Sequence, residues 1–491
     1  MGIPASHRLP PARALRPRDS LGSEGGTPCA GARRPIVSMI GVGLVVALVV
    51  AGCGRVDISA TPERSPETAS DAPTLAATSE PSPANSPSGV APVGRRVDLG
   101  APTFSHPTAI TNPLFPIVTR RQVIQLGEEE GEPARVEITL LPVTRTIDWD
   151  SRQVENRVVQ FVAYRGGRIV EVAVDYFAQA DDGAVWYFGE EVDNYEEGVV
   201  ADHHGSWLAG VDGPPGMIMP ARPGVGDVYR PENIPGLVFE ETTVKSSGLA
   251  VAGPSGLVEG AIRVEEHLME GTVETKVFAP GYGEFEVRAA DEVVFVALAV
   301  PIDAIAGPPP TELDTLLTGA ADLFEAAPAG HRDGISATLE LMTTAWDRLA
   351  AVGLPEVLAA RMTDELAALA DAVDARRPAD ARLATIRVSQ AALDLELRHR
   401  PVAEIDLARL ELWARQALLD SGSNPDAVAG DVAALETIWA RVGHAIAATD
   451  VRRVNGALRD LRAAVDAGDP AAVVSRIARL RGIVVGLEPA A

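Results

Sequence analysis

Cysteine, aromatic residues and positive charge are all in short supply in this chain of 491 residues. Its two cysteines are Cys29 and Cys53. Cleavage ahead of Cys53 leaves one thiol in the mature protein, which excludes disulfides, zinc–thiolate sites and thiol catalysis. Net charge is −25. Residues 1–52 hold six Arg against one Asp and one Glu, a net of +4, so the remainder carries −29. A chain so acidic lacks the basic face that phosphate backbones require, and nucleic acid is not an expected partner. P-loop, HExxH and dinucleotide fingerprints are absent, and "GPSGL" from Gly253 lacks the spacing of a nucleophile elbow. No cofactor and no metal site is expected.

What is present begins with an address. The run "RRPIVSMIGVGLVVALVVAGC" has a basic start, a long apolar stretch and then Val50-Ala51-Gly52-Cys53. That tetrapeptide resembles a bacterial lipobox, in which small residues before a cysteine admit the lipoprotein signal peptidase. Residues 1–52 are therefore read as a signal peptide and Cys53 as the lipidated residue, since two acyl chains hold a protein to a bilayer as one does not. The competing reading is an uncleaved anchor, about 17 apolar residues being near the lower limit for a span. Both put the rest of the chain on the extracytoplasmic side of a cell membrane. The 38 residues before Met39 make a long n-region, which a start further downstream would shorten.

After Cys53 the chain is Ser, Thr, Pro, Ala and Glu with almost nothing large to bury, and residues 53–102 read as a disordered tether. From 103 to 305 short alternating runs such as "ARVEITLLPV", "RVVQFVAYR", "LVFEETTV" and "EVVFVALAV" are separated by Gly, Pro and Asp. Period-two patterning with such punctuation predicts an antiparallel β-rich domain, a curved sheet or barrel-like. Residues 194–233, rich in Gly and Pro, form a long insertion expected to pack over the sheet or to bind something.

Past "GPPP" at 307–310 the composition turns to Ala, Leu, Asp and Arg at helical spacing, and the chain repeats itself. Ile335, Leu339, Met342, Trp346 and Leu349 match Val428, Val432, Leu435, Trp439 and Val442 at an offset of 93. Met362, Leu366, Leu369 and Val373 then match Val454, Leu458, Leu461 and Val465 at an offset of 92. Two tandem four-helix units follow, 311–399 and 403–488, each with buried stripes of its own and Trp346 and Trp439 as core anchors. Residues 311–491 are expected to fold without the β-domain. The fold class is thus α+β and multidomain.

Chemistry could reside in "VDYFAQADDGAVWYFGEEV", Val174–Val192, which packs five aromatics and five carboxylates into 19 residues. As structure it is a hairpin with aromatic pairs across it and Asp181 and Asp182 free at the tip. As a site it offers Asp175 and Glu190 for acid/base work. The cluster "ADHHGSW" adds Asp202, His203, His204 and Trp207, although adjacent histidines of an extended chain point apart. Isolated His267, His331, His399 and His444 have no motif around them. Met217 and Met219 in "GPPGMIMP" suit the flexible wall of an apolar pocket. Candidate ligand-binding residues are accordingly Tyr176, Trp186, Tyr187, His203, His204, Trp207, Met217 and Met219; catalytic residues are not assigned.

"DYFAQADDGAVWYFGEEV", "GSWLAGVDGPPGMIMPARPGVGDVYR" and "ETKVFAPGYGEFEV" together resemble a family of uncharacterised exported bacterial proteins, many of them lipoproteins. That family has a Tyr-x-Gln-x-x-x-Gly-x-x-Trp-Tyr-Phe-Gly hairpin, matched here by Gln179, Gly183 and Trp186–Gly189, and a Pro-Gly-x-x-Met-Pro loop. The resemblance covers about 200 residues and implies a domain without supplying an activity. The outline is also similar to periplasmic lipid or lipoprotein carriers. The expected role is ligand binding or envelope interaction: membrane contact through the lipid, with an apolar or amphipathic ligand or an envelope protein as partner. The alternatives are an envelope hydrolase using carboxylates of the 175–204 region, and a sensor or scaffold working through the helical bundle.

Overall fold

The computed structural model describes residues 38–40, 44–46, 91–119, 121–290, 292–329 and 332–489. Cys53, most of the signal segment, the tether up to residue 90 and His331 lie outside the described residues. Ser38–Ile40 (β1) and Leu44–Val46 (β2) pair antiparallel. No helix among the described residues is long and apolar enough to cross a membrane.

The alternating runs form long strands because each has two faces to bury. Gln122–Glu129 (β3), Glu132–Trp149 (β4), Arg152–Arg165 (β5), Arg168–Gln179 (β6) and Val185–Glu196 (β7) make an antiparallel meander. The insertion supplies Val199–Asp202 (β8), Trp207–Leu208 (β9), Gly216–Met219 (β10), Val228–Tyr229 (β11) and Asn233–Ile234 (β12). Val238–Gly253 (β13), Gly256–Leu268 (β14), Val273–Ala279 (β15), Gly283–Arg288 (β16) and Glu292–Val300 (β17) complete the sheet. Strand order runs β10-β7-β6-β5-β4-β3-β17-β16-β15-β14-β13-β11, with β8 and β9 on β7 and β12 on β13. The two ends of that order meet where Met217 N donates to the Arg230 carbonyl at 2.8 Å. The curved sheet is therefore drawn almost closed.

One sequence expectation changes here. Residues 91–102 are not tether. Val97 N donates to the Val228 carbonyl at 2.9 Å, and Asp98 accepts from Arg230 N at 3.1 Å, so this segment satisfies the open side of β11. The insertion extends the edges of the sheet by backbone pairing with β7 and β13 and packs Trp207, Met217 and Met219 into the core with Trp186 and Tyr187.

The helices are Thr311–Ala326 (α1), Arg332–Ala350 (α2), Glu356–Asp374 (α3), Pro378–Glu396 (α4), Val402–Ser423 (α5), Val428–Val442 (α6), Ala448–Asp466 (α7) and Pro470–Val484 (α8). Pro378 and Pro470 open α4 and α8, where a missing N–H costs nothing. They form two tandem four-helix units. The sheet and helices belong to one compact unit, and one hydrophobic cluster joins Ile124, Leu126, Leu298 and Val300 of the sheet to α1–α5. Strand alternation divides the sheet accordingly: Val162, Tyr164 and Val172 face α6, while Val136, Phe161, Ala173 and Val192 face the interior.

Candidate functional site

The aromatic and acidic stretch is the hairpin of β6 and β7. Its turn is closed by Ala180 N to the Ala184 carbonyl at 2.8 Å, with Gly183 at φ 98°, a region only glycine enters freely. Asp182 accepts from Ala184 N at 2.9 Å. Asp181, expected free at the tip, instead accepts from Ser105 N at 2.7 Å and latches the segment ahead of β3 onto the turn.

Inside the sheet the hairpin joins a larger feature. Asp175 and Glu190 lie directly opposite on β6 and β7, and Glu171 follows on the same face. Glu232 and Glu240 stand beside them, then Glu266, Glu274, Glu284, Glu292 and Glu129 on the far strands, and all ten carboxyls are buried. Lys276 answers part of this charge, bonding Glu266 and lying 3.4 Å from Glu274 and 3.9 Å from Glu284. Thr242 donates to Glu266 at 2.6 Å. Neither carboxyl oxygen of Glu171 has a partner.

Burial raises several of these carboxyls above their ordinary range. It lifts Asp175 from 3.8 to about 7 against the opposing hydrogen bond from Tyr187. It lifts Glu232 to about 7 against the opposing hydrogen bond from Trp207. Glu190 is raised well above its ordinary value by burial and then by Glu232, Asp175 and Glu171. Glu171 and Glu240 are raised by burial and by neighbouring carboxylates in the same way. Lys276 moves upward: burial alone would lower it, but Glu266, Glu274 and Glu284 outweigh that. Among the described residues no three His, Cys, Asp or Glu side chains are arranged to hold a metal ion.

The candidate residues separate around this interior. Tyr187 donates to Asp175 at 2.9 Å and stacks on Phe177 at 4.8 Å. Trp207 packs edge-on to Tyr187 at 5.4 Å and donates to Glu232 at 2.8 Å. His203 and His204 line a pocket of about 90 Å³ that reaches Glu232 and Glu240. Tyr176 faces the other way, beneath the Arg145 guanidinium at 4.3 Å. Trp186, Met217 and Met219 lie in the core: Met217 pairs with Trp186 across β10 and β7, and Met219 is fully buried.

A second concavity lies at the seam of sheet and helices. Its pocket of about 150 Å³ is walled by Leu126, Ile386, Leu412 and the stacked pair Tyr164–Trp413, whose rings are 5.4 Å apart. Arg361 and Arg387 flank Glu365 in its wall, so two guanidinium groups share one carboxyl. Arg135, Glu137 and Asp394 also line it: Arg135 bonds Asp394 at 2.6 Å, Arg409 bonds Asp394 and Asp406 at 2.9 and 3.0 Å, and Arg441 bonds Glu137 at 2.7 Å. Buried Arg409 and Arg441 and half-buried Arg135 thus meet three buried carboxylates, which offsets the desolvation that an unpaired charge would suffer.

No family model matches the chain, and no curated protein matches it. Glu171, Glu232, Glu240 and Lys276, and the whole seam pocket, are not among the sequence candidates. Their one signal is charged residues set within strand-like runs, as in "VFEETTV" and "VETKVFA".

Proposed function

We propose that the chain is an extracytoplasmic lipoprotein, anchored through Cys53, that binds an amphipathic ligand carrying one anionic group at the seam pocket. The observation that carries the ligand class is the wall of that pocket. Aliphatic side chains and the Trp413–Tyr164 stack suit an apolar stem, and Arg361 and Arg387 leave one guanidinium charge for a carboxylate or phosphate. The hydrolase alternative asks for carboxylates open to water, and Asp175 and Glu190 are only 5% and 2% exposed. Binding is the better fit.

Dodecanoate should quench Trp413 fluorescence in the full-length chain, while dodecyltrimethylammonium should not. Removing both arginines (Arg361→Ala with Arg387→Ala) should weaken dodecanoate by about tenfold or more, a charge-assisted bond being worth about 1.5–3 kcal/mol. Equal response to both head groups, or an unchanged double variant, refutes the ligand class. The anchor is tested separately. Cys53→Ala should abolish fatty-acid labelling in a bacterial host and leave the precursor uncleaved; labelling equal to wild type rejects lipidation.

A further inference from the structure

We propose that the acidic interior of the sheet is a binding site for a primary alkylammonium group, admitted through the pocket beside His203 and His204 and held by Glu240, Glu232 and Glu190. The interior is unevenly neutralised. The chain has two lysines, and Lys276 serves Glu266, Glu274 and Glu284. No Lys or Arg bonds Glu171, Asp175, Glu190 or Glu232 among the described residues, and the buried side chains of Glu190 and Glu171 have no hydrogen-bond partner on either carboxyl oxygen. Cation-free and lined with acceptors, that half is the mirror of the one Lys276 fills.

The entrance fits the same chemistry. The pocket has about 90 Å³, with Glu232 and Glu240 at its wall and Leu237, Phe239 and Leu268 around them. That is room for an ammonium and a short methylene stem, the stem against the apolar rim and the head among carboxylates. An –NH₃⁺ group needs three acceptors, whereas a hard metal ion needs six or more oxygens converging at 2.0–2.6 Å, which this spread set does not offer. Lys276 shows that the interior holds an ammonium. A second one, brought by a ligand, would displace protons from Glu190 and Glu232 to the solvent as it binds.

The probe is 1,4-diaminobutane, titrated calorimetrically into the full-length chain at pH 7 in two buffers of different ionisation enthalpy. The expected result is one site per chain with proton release, tightening from pH 6 to pH 8. Calcium and tetramethylammonium should not compete. Glu232→Gln with Glu240→Gln, which keeps the volume and removes the charge, should weaken binding at least about tenfold, as lost charge-assisted bonds predict. The wild-type readouts stand even if that variant fails to fold. Absence of binding, binding without proton release, or displacement by calcium or tetramethylammonium each overturns the proposal.

Discussion

Trp346 and Trp439 occupy matching places in the two helical units, and their indole N–H groups find acceptors at matching places too. Trp346 donates to Thr363 at 3.1 Å and Trp439 to Asn455 at 2.6 Å, acceptors that are themselves 92 residues apart. A buried indole requires such a partner, so duplication preserved a whole interaction rather than a side chain. Both rings are buried, at 6% and 7% exposure. Trp439→Ala should therefore cost about 3–5 kcal/mol, read as a lowered urea midpoint, with a loss below 1 kcal/mol contradicting an anchoring role. Both tryptophans were legible because a large aromatic recurred at a constant offset on a helical stripe. Their acceptors were not, since Thr and Asn share no spelling.

At the scale of elements, α4 and α5 belong as much to the sheet as to the bundle. Arg409 on α5 is fully buried and donates to Gln122 on β3 at 2.8 Å, and Arg135 on β4 reaches Asp394 on α4. Residues 311–491, expected to fold without the β-domain, thus share a core with it. Cut away from the sheet, the helices would expose the apolar face that Ile124, Leu126, Leu298 and Val300 cover and lose Arg135 and Glu137 from the ion network. Residues 311–491 alone should keep helical circular dichroism, bind a hydrophobic dye and melt about 10 °C or more below the full chain, at about 2–4 °C per kcal/mol. A melt equal to that of the full chain would contradict the shared core. Sequence periodicity shows that a helix has an apolar stripe, but does not tell whether a neighbouring helix or a sheet covers it.

For the whole molecule the acidic interior sets the response to pH. Burial, reinforced by like charges, lifts Glu274 to about 8 and Glu292 to about 9, beside Asp175 and Glu232 at about 7. Between the ordinary carboxylate range and these values the folded chain holds protons that the unfolded chain has released. Stability then falls as pH rises. Glu137 acts in the opposite sense: burial would raise it, but Arg441, Arg409 and Arg135 outweigh burial and hold it below its ordinary 4.5, so its contribution is lost in acid. The melting temperature should peak near pH 5 and fall by about 5–10 °C toward pH 9 at roughly 2–4 °C per kcal/mol. Scanning calorimetry across that range checks it, and a flat or rising profile rejects protonated carboxyls.

By itself the sequence determined the antiparallel β-domain and the paired four-helix units, because periods of two and of three to four follow from backbone geometry. It also determined the β6–β7 hairpin, where Gly183 meets a positive φ. Tertiary structure alone decided which face of each strand turned inward. The alternation of "VFEETTV" is the same whether Glu240 meets water or Glu232, and only the closing of the sheet gathered ten carboxyls from separate strands into one interior. The seam was decided at the same level, since Arg409 and Gln122 lie 287 residues apart in sequence and only packing of helix on sheet brings them together.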